Sequence, residues 1–329
     1  WMTRRSADRA ERPPVLYHAV SSYQLLEVLL HRLLCHPAER AVLLLPDFIT
    51  DKYPRYRALA SRRFFDEVHL FPYRHIPHRE EAQVFADAAR ACRAALPLPL
   101  AAYRPVYVAG AHFYFSLCLI RERLPFFFFE DAAGMLSRAE ELYRPLLKTY
   151  PVHAAIARKY GLFDGSGPCV RGVYCLKRAQ TADVSGSFYR DFSVEEALEQ
   201  LDPRRRRTLV RLFLRRRIRT GAQAILLTQH FAGLGILTGE EQRRLYERLR
   251  DGPLRGLRLL IKKHPDDATD YAAIFPQADI LRAVFPSELL PYAFRHRPPE
   301  AVYTFSSTGV ENLRRHFIIR QLGRDPHVQ

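Results

Sequence analysis

Long apolar runs are missing from this chain. The most hydrophobic stretches, Ala94–Tyr103 and Leu124–Phe129, are short and broken by proline, well under the roughly 20 apolar residues that a membrane-spanning helix needs. A membrane-embedded fold is therefore not expected. Its five cysteines (35, 92, 118, 169, 175) are odd in number and form no CxxC pair, so neither a disulfide framework nor a zinc knuckle is indicated and reduced thiols are the default. Cys169 and Cys175 could pair only in an oxidising setting. No charged-then-apolar leader opens the sequence, whose first dozen residues are charged and polar, and a cytoplasmic protein is the expectation. Lysine is scarce as well. Only six of the 51 basic residues are lysine, which marks an arginine-biased composition.

What is present is apolar side chain and positive charge. Of the 329 residues, 48% are hydrophobic and 12% aromatic, enough for well-formed cores and too much for a disordered polymer. The length favours two domains of about 100–200 residues each. The net charge of +16 directs attention to anionic substrates, anionic surfaces or nucleic acid.

Periodicity sets the fold class. Pro14–Val20 reads as a strand, Ser21–Ser22 as a cap, and Tyr23–Leu34 as a helix with apolar residues at 25, 26, 29, 30, 33 and 34. Apolar runs recur at Ala41–Ile49, Glu67–Phe71, Val106–Ala109 and Pro125–Phe129, with helical periodicity at Glu80–Leu96 and in part of 111–124. A second alternating block holds Ala224–Thr228, a helix at Gly239–Arg250, Arg258–Lys262, Ile280–Val284 and Ala301–Phe305, leading into Thr308–Leu313. Alternating strands and helices predict parallel sheets. The predicted architecture is α/β, with an N-terminal Rossmann-like domain over 13–160, a linker over 161–202 that is rich in Gly, Ser, Thr and Asp, and a C-terminal Rossmann-like domain over 203–320.

Ligands of open parallel sheets bind at the carboxyl ends of strands, so polar residues just after apolar runs are the candidates. Glu130-Asp131 follows Phe126–Phe129 and could supply a general base, or simply an acidic helix start. Lys262-Lys263-His264-Pro265 follows another run. There cations could hold a phosphate and His264 could give a proton to a departing one, unless the segment is only a surface turn. Ser306, Ser307 and Thr308 stand at a strand-to-helix junction, as an anion cradle or an ordinary cap. Glu288, after Phe285-Pro286-Ser287, could accept hydrogen bonds from ribose hydroxyls. His264 precedes Glu288 by 24 residues and Ser306 by 42, so one Rossmann-like half would hold a cationic phosphate site, a sugar-hydroxyl acceptor and a phosphate cradle, with the carboxylate pair in the other half. His75, His78, His230 and His296 read as isolated turn or strand-end residues, and His18, at the end of the first strand, as a structural residue or one that faces the acceptor.

The Glu130-Asp131, His264-Pro265 and Ser306-Ser307 series resembles the acidic, HP and SS motifs of bacterial sialyltransferases of the lipooligosaccharide sialyltransferase and capsular polysialyltransferase type. The likeness extends to Leu226-Leu227-Thr228-Gln229 and Phe285–Leu289, and spans Tyr17 to Leu313. It implies two Rossmann-like domains facing a cleft (GT-B) and an inverting, metal-independent transfer from CMP-sialic acid, as donor substrate, to a cell-surface glycan. It also implies that Glu130 or Asp131 is the base and that His264 assists departure of CMP. Ser306 and Ser307 would then hold the phosphate of CMP and Glu288 the ribose or base, and Lys262, Pro265 and Thr308 beside them are further candidates for binding the nucleotide sugar. No metal or other cofactor is implied. One departure stands out: Ala132-Ala133 precede Gly134, where that group usually has glycine directly after the carboxylates.

Other readings stay open: another nucleotide sugar as donor, a catalytically inactive homologue, or a basic nucleic-acid-binding protein. The last lacks any recognisable motif, so nucleic acid is not an expected partner. Arg204–Arg219 mixes arginines with apolar residues at 209, 210, 212, 213, 214 and 218. It reads either as a peripheral contact with an anionic membrane or acidic glycan, or as a solvated basic helix.

Overall fold

The structure, a computed structural model, describes residues 12–323 apart from 54, 78 and 306. Ser306 and His78 therefore lie outside the described residues. The chain divides after Arg206 into two compact units, each built on one fully parallel sheet.

The first sheet has seven strands in the order β3-β2-β1-β4-β5-β6-β7: β1 Val15–His18, β2 Ala41–Pro46, β3 Glu67–Phe71, β4 Val106–Ala109, β5 Phe126–Phe129, β6 Val170–Cys175 and β7 Tyr189–Asp191. β1, β2 and β4 are buried along their whole length, as near-continuous apolar strands between covering helices should be. Ser21 caps the helix Ser22–Cys35 by accepting from Gln24 N at 3.2 Å, which turns the chain directly from β1 into its crossover helix. That helix packs with Val194–Gln200, while Glu81–Ala95, Tyr114–Arg121 and Pro151–Lys159 pack together elsewhere in the unit. His18, the last residue of β1, is fully buried. Its Nδ1 donates to Ala109 O at 3.1 Å and its Nε2 accepts from Tyr73 Oη at 2.9 Å. Burial lowers its pKa to about 3, so it is a neutral structural group.

Residues 161–202 are not a linker. They carry β6 and β7, which extend the first sheet beside β5. The glycines that suggested an interdomain connection instead reverse the chain. Gly161 and Gly165 have φ of +61° and +75°, and a Cβ on Gly165 would come within 2.7 Å of Val173 Cγ2 in β6, so only glycine fits that close approach.

The second sheet has five strands in the order β10-β9-β8-β11-β12: β8 Ala224–Leu227, β9 Leu259–Lys262, β10 Asp279–Leu281, β11 Ala301–Thr304 and β12 Ile318–Gln321. The helix Gly239–Asp251 starts with a full capping box between Thr238 and Glu241. The segment expected to be helical at Thr308–Leu313 is a short 3-10 turn, Thr308–Asn312. The basic helix covers Pro203–Phe213 and stops before Arg215. All six of its region's apolar residues, Leu209, Val210, Leu212, Phe213, Leu214 and Ile218, are buried. They are not available to enter a bilayer. No helix among the described residues is long and apolar enough to cross a membrane.

Candidate functional site

Both sheets switch direction beside their first strand, between β1 and β4 and between β8 and β11, and the candidate residues follow the carboxyl ends of strands, β5 in the first unit and β9, β10 and β11 in the second. The first unit contributes the carboxylate pair. Glu130 extends β5, its N–H donating to Tyr174 O at 3.0 Å. Its side chain is 1% exposed. Oε1 accepts from Leu176 N at 2.6 Å, and Oε2 accepts from Gln180 Nε2 at 2.8 Å and Leu136 N at 3.3 Å. Burial pushes its pKa up to about 7, against the pull of these donors. Glu130 therefore ties the end of β6 to the turn after β5, and both of its oxygens are committed.

Asp131 is different. Its Oδ1 accepts from Gln24 Nε2 at 2.6 Å, while Oδ2 takes no hydrogen bond among the described residues. The side chain is 24% exposed. Burial raises its pKa to about 6, with the Gln24 hydrogen bond acting the other way. Gln24 cannot flip without loss, because Val20 N donates to its Oε1 at 2.9 Å. Opposite stands His112, whose Nδ1 lies 3.8 Å from Asp131 Oδ1 and whose burial lowers its pKa to about 4. The two adjacent carboxylates thus have separate environments: one pins the loop, the other is aimed and partly open.

The loop geometry explains the displaced glycine. Met135 N donates to Ala132 O at 2.9 Å, and Gly134 occupies the third turn position at φ +81°, ψ 0°, the left-handed conformation that a type II turn demands there. A Cβ on Gly134 would also meet Ala179 O at 2.9 Å.

The second unit holds a polar knot around Asp267. Asp267 Oδ2 accepts from Tyr271 Oη at 2.6 Å and Thr228 Oγ1 at 3.2 Å, and its Oδ1 accepts from Gln242 Nε2 at 3.0 Å. Thr228 Oγ1 in turn accepts from His264 N at 3.1 Å, and Gln242 Oε1 from Ala232 N at 2.8 Å. Loops after β8 and β9 are thereby bound to one another. Pro265 sits in the second position of the turn closed by Asp267 N to His264 O at 3.1 Å, so its visible part is to shape the backbone. Asp266 N donates to His264 Nδ1 at 3.2 Å. This places the neutral imidazole's proton on Nε2.

His230 stacks on His264, ring centroids 3.9 Å apart and planes 11° from parallel. His230, which reads from the sequence as an isolated turn residue, is therefore part of this site. Only its position, two residues beyond a strand-end threonine, hinted otherwise. His230, His264 and Asp266 each offer a ligand atom within 4.8 Å of the others. Imidazole lone pairs lie in the ring plane, however, and nearly parallel stacked planes do not converge them on one ion.

Lys262 closes β9 and is 7% exposed. Its ammonium lies 5.0 Å from the centre of the Phe285 ring and donates no hydrogen bond among the described residues. Burial lowers its pKa to about 8 while Glu288 raises it; Glu288, itself buried, is pushed up to about 7. Lys263 does not join it, since its Nζ donates to Thr269 O at 2.8 Å and braces the loop. Glu288 stands in the short turn Ser287–Leu289. A Cβ on Gly309 would approach its Oε1 to 3.2 Å and Ser307 Oγ to 3.5 Å, so Glu288, Ser307 and Gly309 are close neighbours. Thr308 opens the following turn.

No protein-family model matches the chain. A protein of Haemophilus influenzae described as uncharacterized is 39% identical over 70 residues, 21% of this chain and 22% of that protein. Solved structures align over nearly the whole chain. An alpha/beta-galactoside alpha-2,3-sialyltransferase from Photobacterium phosphoreum aligns with a TM-score of 0.55 at 10% identity, covering 94% of this chain and 90% of that one. The S. aureus MnaA–UDP co-structure aligns with a TM-score of 0.56 at 11% identity, over 94% and 79%. UDP-GlcNAc 2-epimerase from Neisseria meningitidis, bound to UDP-GlcNAc, aligns at 0.51 and 14%, over 91% and 79%. The fold is of the two-Rossmann, GT-B type. Identities this low carry the fold and not the reaction.

Proposed function

We propose that the protein is a glycosyltransferase that uses a nucleotide-sugar donor, and that the reaction is inverting transfer of sialic acid from CMP-sialic acid to a cell-surface glycan such as a lipooligosaccharide or capsular polysaccharide. The observation that carries the reading is Lys262. Its buried ammonium feels the Glu288 carboxylate but donates no hydrogen bond among the described residues, so its N–H groups remain available to an anionic ligand. A donor phosphate at the end of β9 would supply that anion, and His264 could assist departure of the nucleotide by donating a hydrogen bond from its Nε2–H to the leaving phosphate oxygen. Glu288 would accept from ribose hydroxyls and Ser307 would add a hydroxyl donor. Ser306 and Thr308 would complete the phosphate contact.

In the first unit Asp131 takes the role of general base. Its free Oδ2 and a pKa of about 6 leave it ionised at neutral pH yet basic enough to receive the acceptor hydroxyl's proton. Glu130 holds the loop on which Asp131 stands. Lysine charge, one hydrogen bond and one proton transfer would perform this chemistry without a metal or other cofactor. Anionic partners beyond the donor would meet Arg204, Arg205, Arg207, Arg211 and Arg215–Arg217 as exposed charge alone, because the apolar residues between them are buried. Contact with a membrane face would be electrostatic and would weaken with salt.

A second donor class is favoured by two fold neighbours whose structures contain UDP or UDP-GlcNAc. Thermal-shift titration with CMP, UDP, CMP-sialic acid and UDP-GlcNAc, followed by a transfer assay on the stabilising donor, separates the two. Stabilisation by CMP compounds supports the sialyl donor, and stabilisation by UDP compounds alone replaces it. No response to any nucleotide overturns the transferase reading.

A further inference from the structure

The first unit contains a cavity of about 470 Å3 that no step above uses, within the range of about 300–1,000 Å3 typical of small-molecule sites. Its walls come from the segments after β2, β3 and β4 and from the helices Ala139–Thr149 and Pro151–Lys159 with Tyr150 between them. Phe48, Tyr73 and Phe113 form three sides of an aromatic triangle, with ring centroids 5.6–6.1 Å apart. Leu146 and Tyr150 face them across the cavity. Tyr73 presents a ring rather than a hydroxyl, because its Oη is already bonded to His18 Nε2 and Phe115 N.

Two further features narrow the ligand. The cavity's guanidinium, Arg74, is paired with Asp51, His112 is kept neutral by burial and His153 Nε2 is bonded to His112 O, which makes the cavity a poor match for a phosphate. His112 also connects it to the reaction centre, since the same imidazole that lines the cavity stands 3.8 Å from Asp131. Aromatic faces, one ion pair and a neutral imidazole suit the mixed surface of a pyranose, whose C–H faces rest on rings while its hydroxyls seek polar groups.

We propose that this cavity binds the saccharide acceptor, an uncharged sugar ring seated among Phe48, Tyr73, Phe113 and Tyr150 with a hydroxyl directed past His112 towards Asp131. The assignment rests on the base role given to Asp131, but saccharide binding can be measured without any reaction. Saturation-transfer NMR on the full chain, with lactose, N-acetyllactosamine, cellobiose and maltose as probes, tests it. At least one disaccharide should receive saturation from aromatic protons. Leu146→Arg, which fills the cavity, and Tyr150→Ala, at a position 40% exposed, should weaken that binding about tenfold or more, with nucleotide stabilisation unchanged. The exposed site of Tyr150 keeps the test available if Leu146→Arg fails to fold. Absence of transfer to all four sugars, or equal transfer in both folded variants, overturns the proposal. Saccharide binding in a protein that ignores every nucleotide would uphold the cavity and overturn the donor reading instead.

Discussion

Replacing each of the two adjacent carboxylates should have opposite consequences. Glu130→Ala orphans Leu176 N and Leu136 N and takes from Gln180 Nε2 the shorter of its two hydrogen bonds, leaving the one to Leu176 O at 3.2 Å. A buried donor left without an acceptor costs about 1–3 kcal/mol. The 3.3 Å contact to Leu136 N is the weakest of the three, so a total of about 3–5 kcal/mol is expected, at the upper end for single substitutions. For a domain of this size that corresponds to a fall of roughly 10 °C in the melting temperature. Asp131→Asn removes one charge from a side chain with a single short hydrogen bond, from Gln24 Nε2 at 2.6 Å, which the asparagine oxygen can still accept. Its stability should change by less than about 1 kcal/mol, while transfer falls by about 10²–10⁴-fold, the usual contribution of a general base. Differential scanning calorimetry and a transfer assay on both variants read the two axes. The reasoning is refuted if Glu130→Ala melts like the parent but is inactive, or if Asp131→Asn retains full activity.

The pH dependence follows from the same pair. Asp131 must be ionised to accept a proton, so turnover should fall about tenfold per unit below pH 6; a profile flat down to pH 5 would exclude it as the base. Glu130 behaves as an acid whose folded pKa, about 7, lies above its ordinary value of 4.5. The folded state then holds a proton that the unfolded chain has lost between those limits, so this group makes stability decline as pH rises through that window and level off above it. Thermal melts from pH 4.5 to 8 should show a shallower decline in Glu130→Gln than in the parent. His264→Ala should lower transfer about 10²–10⁴-fold while nucleotide-induced stabilisation is largely kept, and undiminished transfer would remove His264 from the mechanism. Gln24→Leu should cut kcat and shift the lower limb of the pH profile upward, because Gln24 holds Asp131's pKa down; a change in melting temperature alone would reduce Gln24 to a structural role.

The alternation of apolar strands and amphipathic helices, the cap at Ser21, and the strand-end positions of Glu130, Asp131, Lys262 and His264 were legible in the sequence, because each is a local property of a few consecutive residues. The glycine-rich segment misled for the same reason. Its turns are local, but the strands beyond it join the first sheet by pairing Val170–Cys175 with Phe126–Phe129, and pairing is not written in either strand alone. Only the tertiary structure divided the work between two neighbouring carboxylates. Glu130 is committed by Leu176 and Gln180, 46 and 50 residues away, and Asp131 is aimed by Gln24, 107 residues away. The stacking of His230 on His264, the polar knot at Asp267 and the burial of Lys262 against Phe285 arise the same way. Chemical type and strand-end position come from local sequence, whereas hydrogen-bond partners, burial and hence proton affinity come from residues that the fold brings in from elsewhere.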